Sequence, residues 1–339
     1  MNILITGGAG YIGSHICHSL IDGGFNVSVI DNLSIGKKNL LPKEVTLLNC
    51  DISNTKKILP FLEKNKFDVV MHLAALTSVS DSLKNPKKYL ENNFEKGKIF
   101  INLCLKNNIK KFIFSSTAAV YGNLESINNI TESEKTNPIN PYSDSKLKFE
   151  QYLTKEVLKE NAFCVILRYF NVAGADLKRR TGYTSDSDNL IKLVCEVAAR
   201  KRNKLIINGN DYQTKDGTPI RDYIHVLDLA DAHKSALDYL NGKDSQYVHL
   251  NIGTGNGTSV LELVKTFIDV NRCNLKYKFG ARRLGDPCQV VANNELALNT
   301  LEWKPKKNIE DMCRDGWRWQ INSKELMKNS SNIKLQKFL

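Results

Sequence analysis

The chain opens on Ile3-Leu4-Ile5-Thr6-Gly7-Gly8-Ala9-Gly10-Tyr11-Ile12-Gly13, an apolar run that breaks into a G-x-x-G-x-x-G turn and then into a helical pattern. Glycine is needed where a main chain must approach a pyrophosphate and where a helix packs closely on a strand. The helix start then offers unpaired N–H groups and the positive end of its dipole. A glycine-rich turn alone is a weak signal. Here a second strand pattern, residues 26–30, ends on Asp31, eighteen residues beyond Gly13. A carboxylate at that place accepts hydrogen bonds from an adenosine ribose and repels a 2′-phosphate. A tight turn without a ligand explains neither the spacing nor the acid, so the stretch reads as an NAD-binding turn.

Working outward, the strand-then-helix alternation continues. Apolar strand patterns at 2–6, 26–30, 45–48, 68–73, 111–115 and 164–168 have longer helical patterns between most of them, and that rhythm predicts an α/β fold built on a Rossmann-type doubly wound parallel sheet. Past Phe170 the pattern is less regular: helices near 189–199, 227–240, 260–270 and 309–321, and a short strand at 205–207. The expected organisation is an NAD-binding domain over 1–170, a smaller C-terminal α/β substrate domain over 171–321 with some elements returning to the sheet, and a polar tail over 322–339.

Composition agrees with an enzyme. The 339 residues are 42% hydrophobic and 25% charged, ordinary for a globular protein with a sizeable core. The first residues lack the charged start and cleavage site of a signal peptide, and nowhere do 18 apolar residues run together, so a cytoplasmic protein is expected. Eight cysteines are scattered without a C-x-x-C pair and read as reduced core thiols, with no metal site. The formal charge of +12 raises a nucleic-acid reading. Its basic pairs, such as Lys37/Lys38 and Lys110/Lys111, are spread along the chain without interleaved aromatics, which describes a solvated surface that steers an anionic substrate.

Ligands of such sheets bind outside the carboxyl ends of the strands. Asp51-Ile52 follows the third strand, and Ala74-Ala75 follows the fourth, where small side chains let backbone approach a dinucleotide. After the fifth comes the hydroxyl cluster Ser115-Ser116-Thr117. Such hydroxyls are mostly satisfied by nearby backbone. Beyond them, however, stands Pro141-Tyr142-Ser143-Asp144-Ser145-Lys146 at the head of an amphipathic pattern, which sets a phenol and an ammonium on one helical face with Cβ atoms roughly 5–6 Å apart. In a dinucleotide fold, that pair is better read as a base with a cation beside it than as packing.

Taken together, the glycine turn, Asp31, the Ser115-Ser116-Thr117 strand end and Y-x-x-x-K at Tyr142 and Lys146 resemble the extended short-chain dehydrogenase/reductase family. The stretches at 31–34, 168–175, 216–226, 251–257 and 282–286 are similar in order and spacing to the branch of that family that inverts UDP-sugars at C4, and the likeness spans roughly residues 1–321. It implies NAD-dependent 4-epimerisation of UDP-hexoses in a cytoplasmic homodimer seamed by the helices after strands four and five. It also implies a UDP-sugar partner and neither nucleic acid, membrane nor metal. By the same resemblance Tyr142, Lys146 and Thr117 are catalytic. Gly7, Gly10, Tyr11, Ile12, Gly13, Asp31, Asn32, Ser34, Gly36, Asp51, Ile52, Ala74, Ala75, Asn92, Ser115, Tyr142, Lys146 and Tyr169 contact NAD. Thr117, Tyr142, Asn171, Asn189, Arg221, Val290, Arg283 and Asp286 contact the UDP-sugar, the two arginines matching a diphosphate in planar, charge-assisted geometry.

The chemistry is consistent with those residues. Inverting a carbinol carbon that has no acidic hydrogen is hard, but oxidising it to a ketone removes its stereochemistry, and returning the hydride to the other face inverts it. Tyr142 suits the base, with the Lys146 ammonium and the nicotinamide cation pulling its pKa down from about 10, and Thr117 relays the proton. His225 reads as a core histidine. Two positions depart from the pattern: Thr77 stands where many members carry a lysine against the nicotinamide ribose, and Val290 where some carry a tyrosine that narrows the sugar pocket. The smaller valine leaves room for an N-acetyl group. A UDP-pentose 4-epimerase fits every motif. A 4,6-dehydratase needs carboxylates where Ala118 and Ala119 follow Thr117, and a non-enzymatic NAD sensor would usually have lost the tyrosine or the lysine.

Overall fold

The computed structural model describes residues 1–124, 129–184, 189–242, 246–283 and 285–335, with side chains described as far as Asn322. Strands are β1 (Asn2–Thr6), β2 (Asn26–Asp31), β3 (Thr46–Asn49), β4 (Val69–His72), β5 (Lys111–Thr117), β6 (Phe163–Tyr169), β7 (Asn171–Ala173), β8 (Leu205–Asn208), β9 (Ile220–His225), β10 (Tyr247–Ile252), β11 (Gly257–Ser259), β12 (Tyr277–Gly280) and β13 (Gln289–Val290). Helices are α1 (Tyr11–Asp22), α2 (Thr55–Lys64), α3 (Val79–Lys84), α4 (Pro86–Leu90), α5 (Lys96–Lys106), α6 (Pro141–Lys159), α7 (Leu190–Ala198), α8 (Val226–Gly242), α9 (Val260–Asn271), α10 (Glu295–Leu301) and α11 (Ile309–Leu335).

Seven parallel strands form the main sheet in the order β3-β2-β1-β4-β5-β6-β10. Helices cover both faces, so strands such as Val69-Val70-Met71-His72 are buried on both sides and carry no polar alternation. On one face α1, α8 and α10 enclose Ile16, Leu20, Leu237 and Leu301; on the other α2, α5 and α6 enclose Ile58, Phe100, Phe149 and Leu153. The strand order reverses between β1 and β4, and a crevice opens there at the carboxyl ends. That switch point is where the glycine turn lies.

The six strands predicted from sequence are present to within a residue or two. The seventh, β10, was not predicted. It is an edge strand whose Tyr247 is exposed and whose Val248 and His249 are half-buried, so its apolar signal is weak. The expected return of later elements to the sheet is seen in β10 and in α8, which packs on α1. The last helix exceeds its predicted end at Ile321 and runs on to Leu335. Lys324, Glu325, Leu326 and Lys328 are good helix formers, but they carry no apolar period, so the segment reads as a tail; residues 336–339 lie outside the described ones.

Beyond β6 a second sheet runs β11-β9-β13, with β7 paired on β9, and β12 pairs β8. Their core gathers Val194, Ile207, Tyr223, Val264, Phe267 and Met312. Among the described residues, no helix is long and apolar enough to cross a membrane, and all eight cysteines are free thiols.

Candidate active site

The crevice is built first by backbone. Gly7 takes φ +73°, and a Cβ there would stand 2.7 Å from Ala74 N; a Cβ on Gly13 would stand 2.4 Å from Gly7 O. Both glycines are therefore obligatory for close approach of β1, β4 and α1. Gly10 caps α1 without a side chain, which leaves first-turn N–H groups of Tyr11, Ile12 and Gly13 for an anion. Lys37 N donates to Ala9 O at 3.0 Å, folding the Ser34–Gly36 loop over the turn. The buried Asp31 carboxylate, at the end of β2, accepts from Ala9 N at 2.9 Å and Leu33 N at 2.8 Å. Burial raises its pKa, opposed by those two hydrogen bonds. One lone pair on each oxygen stays open, the acceptor set a ribose diol requires. Asn32 Oδ1 accepts from Ser34 N and Oγ. Asp51 pairs with Lys96 at 2.9 Å, Ile52 is buried in the core under α2, and Ala74 N bonds Thr6 Oγ1. These residues fit a dinucleotide.

Helix α6 carries the two residues expected to act on the substrate, Tyr142 and Lys146. Asn140 Oδ1 caps it by accepting from Ser143 N, and Pro141 occupies its first turn, the position where proline costs no hydrogen bond. Its sheet-facing side carries Lys146, Phe149, Glu150, Leu153 and Val157; truncating the fully buried Phe149 to alanine would cost about 3–5 kcal/mol. Tyr142 lies in the first turn, where the helix dipole favours negative charge, and its side chain faces Thr117 at the end of β5, whose hydroxyl acts to lower its pKa. Lys146 is buried and donates to Ser115 O at 2.7 Å, with its ammonium 4.8 Å from the Phe114 ring centroid.

The electrostatics differ from the expectation that Lys146 pulls the phenol down. Burial pushes Tyr142 up to about 12, opposed by the Thr117 hydrogen bond, and burial brings Lys146 down to about 7, opposed by the Glu150 carboxylate. Desolvation outweighs the i,i+4 attraction because the ammonium is turned onto the Ser115 carbonyl. Tyr169, at the end of β6, is buried with its hydroxyl 2.5 Å from His233 Nε2.

Several residues here were missed in the sequence. Asn93, which the sequence reading missed, lies with Asn92, already expected at NAD, in a π-helical turn, Glu91–Glu95, a form that recurs at functional sites. Buried Asn93 bonds Leu76 N and O and reaches Ser145 Oγ at 3.1 Å, so it ties the loop after β4 to α6. Glu150 receives Arg168 Nε at 3.1 Å and Nη2 at 2.6 Å, and also the Ser116 hydroxyl. Arg168 Nη1 donates to Tyr121 OH, which donates to Asn251 Oδ1. The only signal for Glu150 in the sequence was its position, i+4 from Lys146.

Across the crevice lie the residues expected at the nucleotide. Arg221 does not pair with adjacent Asp222; its Nη2 donates to Asp286 Oδ1 at 2.6 Å and to Pro287 O. In the parallel register Val290 lies beside Arg221, and it packs, half-buried, against the apolar cluster of Ala118, Val120, Tyr121, Ile130, Phe170 and Ala292. Asn171 is exposed at the start of β7. Asn189 caps α7, accepting from Lys192 N and donating to Val172 O. Arg283 is exposed; Leu284 of its motif lies outside the described residues. Tyr11 OH donates to Gly174 O at 2.7 Å, joining the NAD turn to this side. His225 is fully buried, accepting from Leu227 N and facing Asp315 at 3.3 Å. It is a core histidine, as expected.

A parallel switch-point crevice with this donor set defines a class, and the chain belongs to the NAD dependent epimerase/dehydratase family, whose pattern matches residues 3–253. More particularly, the UDP-glucose 4-epimerase of Azospirillum brasilense is 42% identical over 320 residues, 94% of this chain and 91% of its own. The solved UDP-glucose 4-epimerase of Bifidobacterium longum, in complex with NAD+ and UDP, is 33% identical with a TM-score of 0.90, covering 95% of this chain and 98% of that one. The UDP-Glc/GlcNAc 4-epimerase of Campylobacter jejuni is 38% identical with a TM-score of 0.82 over 95% of this chain and 99% of that one.

Proposed function

We propose that the enzyme interconverts UDP-glucose and UDP-galactose by NAD-dependent inversion at C4. The observation that carries this reading is the placement of the Tyr142 phenol beside Thr117 at the dinucleotide crevice, with buried Lys146 one helical turn away and tied to the Ser115 carbonyl. Bound oxidised NAD supplies a hydride acceptor that later becomes the donor, and a cation that favours the phenolate. Thr117 accepts the proton of the sugar's reacting hydroxyl and passes it to Tyr142, which holds it and returns it to the same oxygen when the hydride comes back to the opposite face of C4. Meanwhile Asn171, Asn189, Arg221, Arg283 and Asp286 retain the UDP while the sugar turns. The test is to incubate the purified protein, without added NAD, with UDP-glucose, UDP-galactose, their N-acetyl forms and UDP-pentoses, and to follow product sugars by chromatography. Conversion of UDP-glucose without net NADH is expected; NADH accumulation would make the enzyme a dehydrogenase.

A second substrate class is favoured by Val290, which packs half-buried against the cluster that includes Ala118, the residue after Thr117, and has a side chain smaller than the tyrosine some relatives carry there. The enzyme accepts UDP-GlcNAc and UDP-GalNAc on this reading, the activity named for the Campylobacter jejuni relative. Val290→Tyr is expected to lower kcat/KM for the N-acetyl sugars at least about tenfold while that for UDP-galactose changes less than about threefold, since filling a pocket discriminates by roughly 1–3 kcal/mol. Equal loss on both sugars would count against it.

The reading includes a cytoplasmic homodimer, with NAD held by residues 1–170 and the nucleotide sugar mainly by 171–321. Exposed Val79, Leu83, Leu90 and Ile99 on α3–α5 form the apolar surface that the partner covers, and light scattering of the purified protein tests it.

A further inference from the structure

Glu150 is 1% exposed, on the same face of α6 as Lys146, one turn further on. Arg168 grips both of its oxygens, Ser116 donates to it, and His249 Nε2 lies 3.6 Å away. A buried ion pair is weak evidence for stability, because desolvation offsets most of the Coulomb gain and apolar residues of equal volume often do as well. Two features give this pair another role. Ser116, which it holds, lies between Ser115, whose carbonyl receives Lys146, and Thr117, whose hydroxyl faces Tyr142. Beside the pair a depression of about 570 Å³ is lined by Glu150, Arg168, Thr154, Lys155 and His249, so the pair lies beneath the surface with polar neighbours rather than at the centre of the apolar core.

We propose that Glu150 is a positioning residue for the epimerisation: its carboxylate keeps Lys146 an ammonium against desolvation and, through Ser116, holds the strand end on which Thr117 and Ser115 meet Tyr142 and Lys146. The groups facing Lys146 are few. On α6 they are Tyr142 and Glu150. His72 on β4 is held neutral, its pKa brought down to about 3 by burial. Phe114 and the Ser115 carbonyl come from β5, while Arg168 on β6 and His249 on β10, the latter also lowered by burial, face Glu150 rather than Lys146. Glu150 is the one that raises Lys146, and Arg168 is occupied by Glu150.

The inference rests on the cationic role of Lys146 in the proposed function. The sign follows directly: Lys146 serves while protonated, so removing the carboxylate moves the loss of activity on the alkaline side to lower pH. In pH profiles of kcat, Glu150→Gln is expected to shift that limb toward acid by at least about one unit, Glu150→Asp by less, with KM for UDP-galactose unchanged within about twofold. A folded Glu150→Gln whose profile overlies that of the wild type overturns the inference. Should the neutral variant fail to fold because Arg168 is left unpaired, Glu150→Asp, which keeps the ion pair, decides: an acid-shifted limb supports the proposal, whereas an unshifted limb or failure to fold shows a purely structural pair. Lys146→Met is the separate control. If it keeps wild-type turnover and both limbs, the cationic role of Lys146 fails, whatever Glu150 does.

Discussion

Tyr142→Phe is expected to lower kcat for UDP-galactose epimerisation by about 10²–10⁴-fold, the range over which a positioned acid–base group acts, with bound NAD per protomer unchanged. The phenol is linked to Thr117 at the reacting end of β5, while the NAD-binding turn is made by backbone and Asp31, so removing one oxygen disables proton transfer and spares the crevice. The pH dependence adds a check. Burial holds the cofactor-free phenol at about 12 and Lys146 at about 7; near neutral pH the ionised pair therefore forms only when further positive charge reaches the phenol. Activity should fall on the acid side as Tyr142 is protonated and on the alkaline side as Lys146 loses its proton, the two limbs belonging to the coupled pair. The phenylalanine variant should lose the acid limb with the activity. Near-wild-type turnover would remove Tyr142 from the mechanism.

Gly13→Ala should have an effect of comparable size through binding. The added methyl would stand 2.4 Å from Gly7 O and 2.7 Å from Gly8 Cα, and both are main-chain atoms that cannot swing aside. The turn must open away from α1, which takes the first-turn N–H groups off the pyrophosphate. NAD released on denaturing the purified protein is expected to fall at least about tenfold per protomer, the equivalent of 1.4 kcal/mol in affinity, and the melting temperature to fall with it. A variant that carries a full complement of NAD would show that the glycine serves packing alone.

The parts read most easily from the sequence were those set by local chemistry. The glycine turn needs positive φ and room for close approach, and only glycine supplies both, so Gly7 and Gly13 identify themselves. Strands buried on both faces read as unbroken apolar runs. The amphipathic pattern that follows Pro141 announces the helix that carries Tyr142 and Lys146. What escaped notice lacked a local pattern. Edge strand β10 is half-polar, Asn93 bridges a loop and a helix 52 residues apart in sequence at Ser145, and Glu150 gains its meaning only when β6 brings Arg168 to it.

The sequence by itself thus determined that a nicotinamide dinucleotide fold would form and which side chains would be offered to its crevice, because spacing along a strand or helix fixes which groups share a face. The tertiary structure alone decided how those groups are charged. Lys146 donates to the Ser115 carbonyl, Tyr142 faces Thr117, and both pKa values are shifted chiefly by burial. Desolvation depends on every element packed around a group, a quantity that residues distant in the chain contribute and that no local motif records.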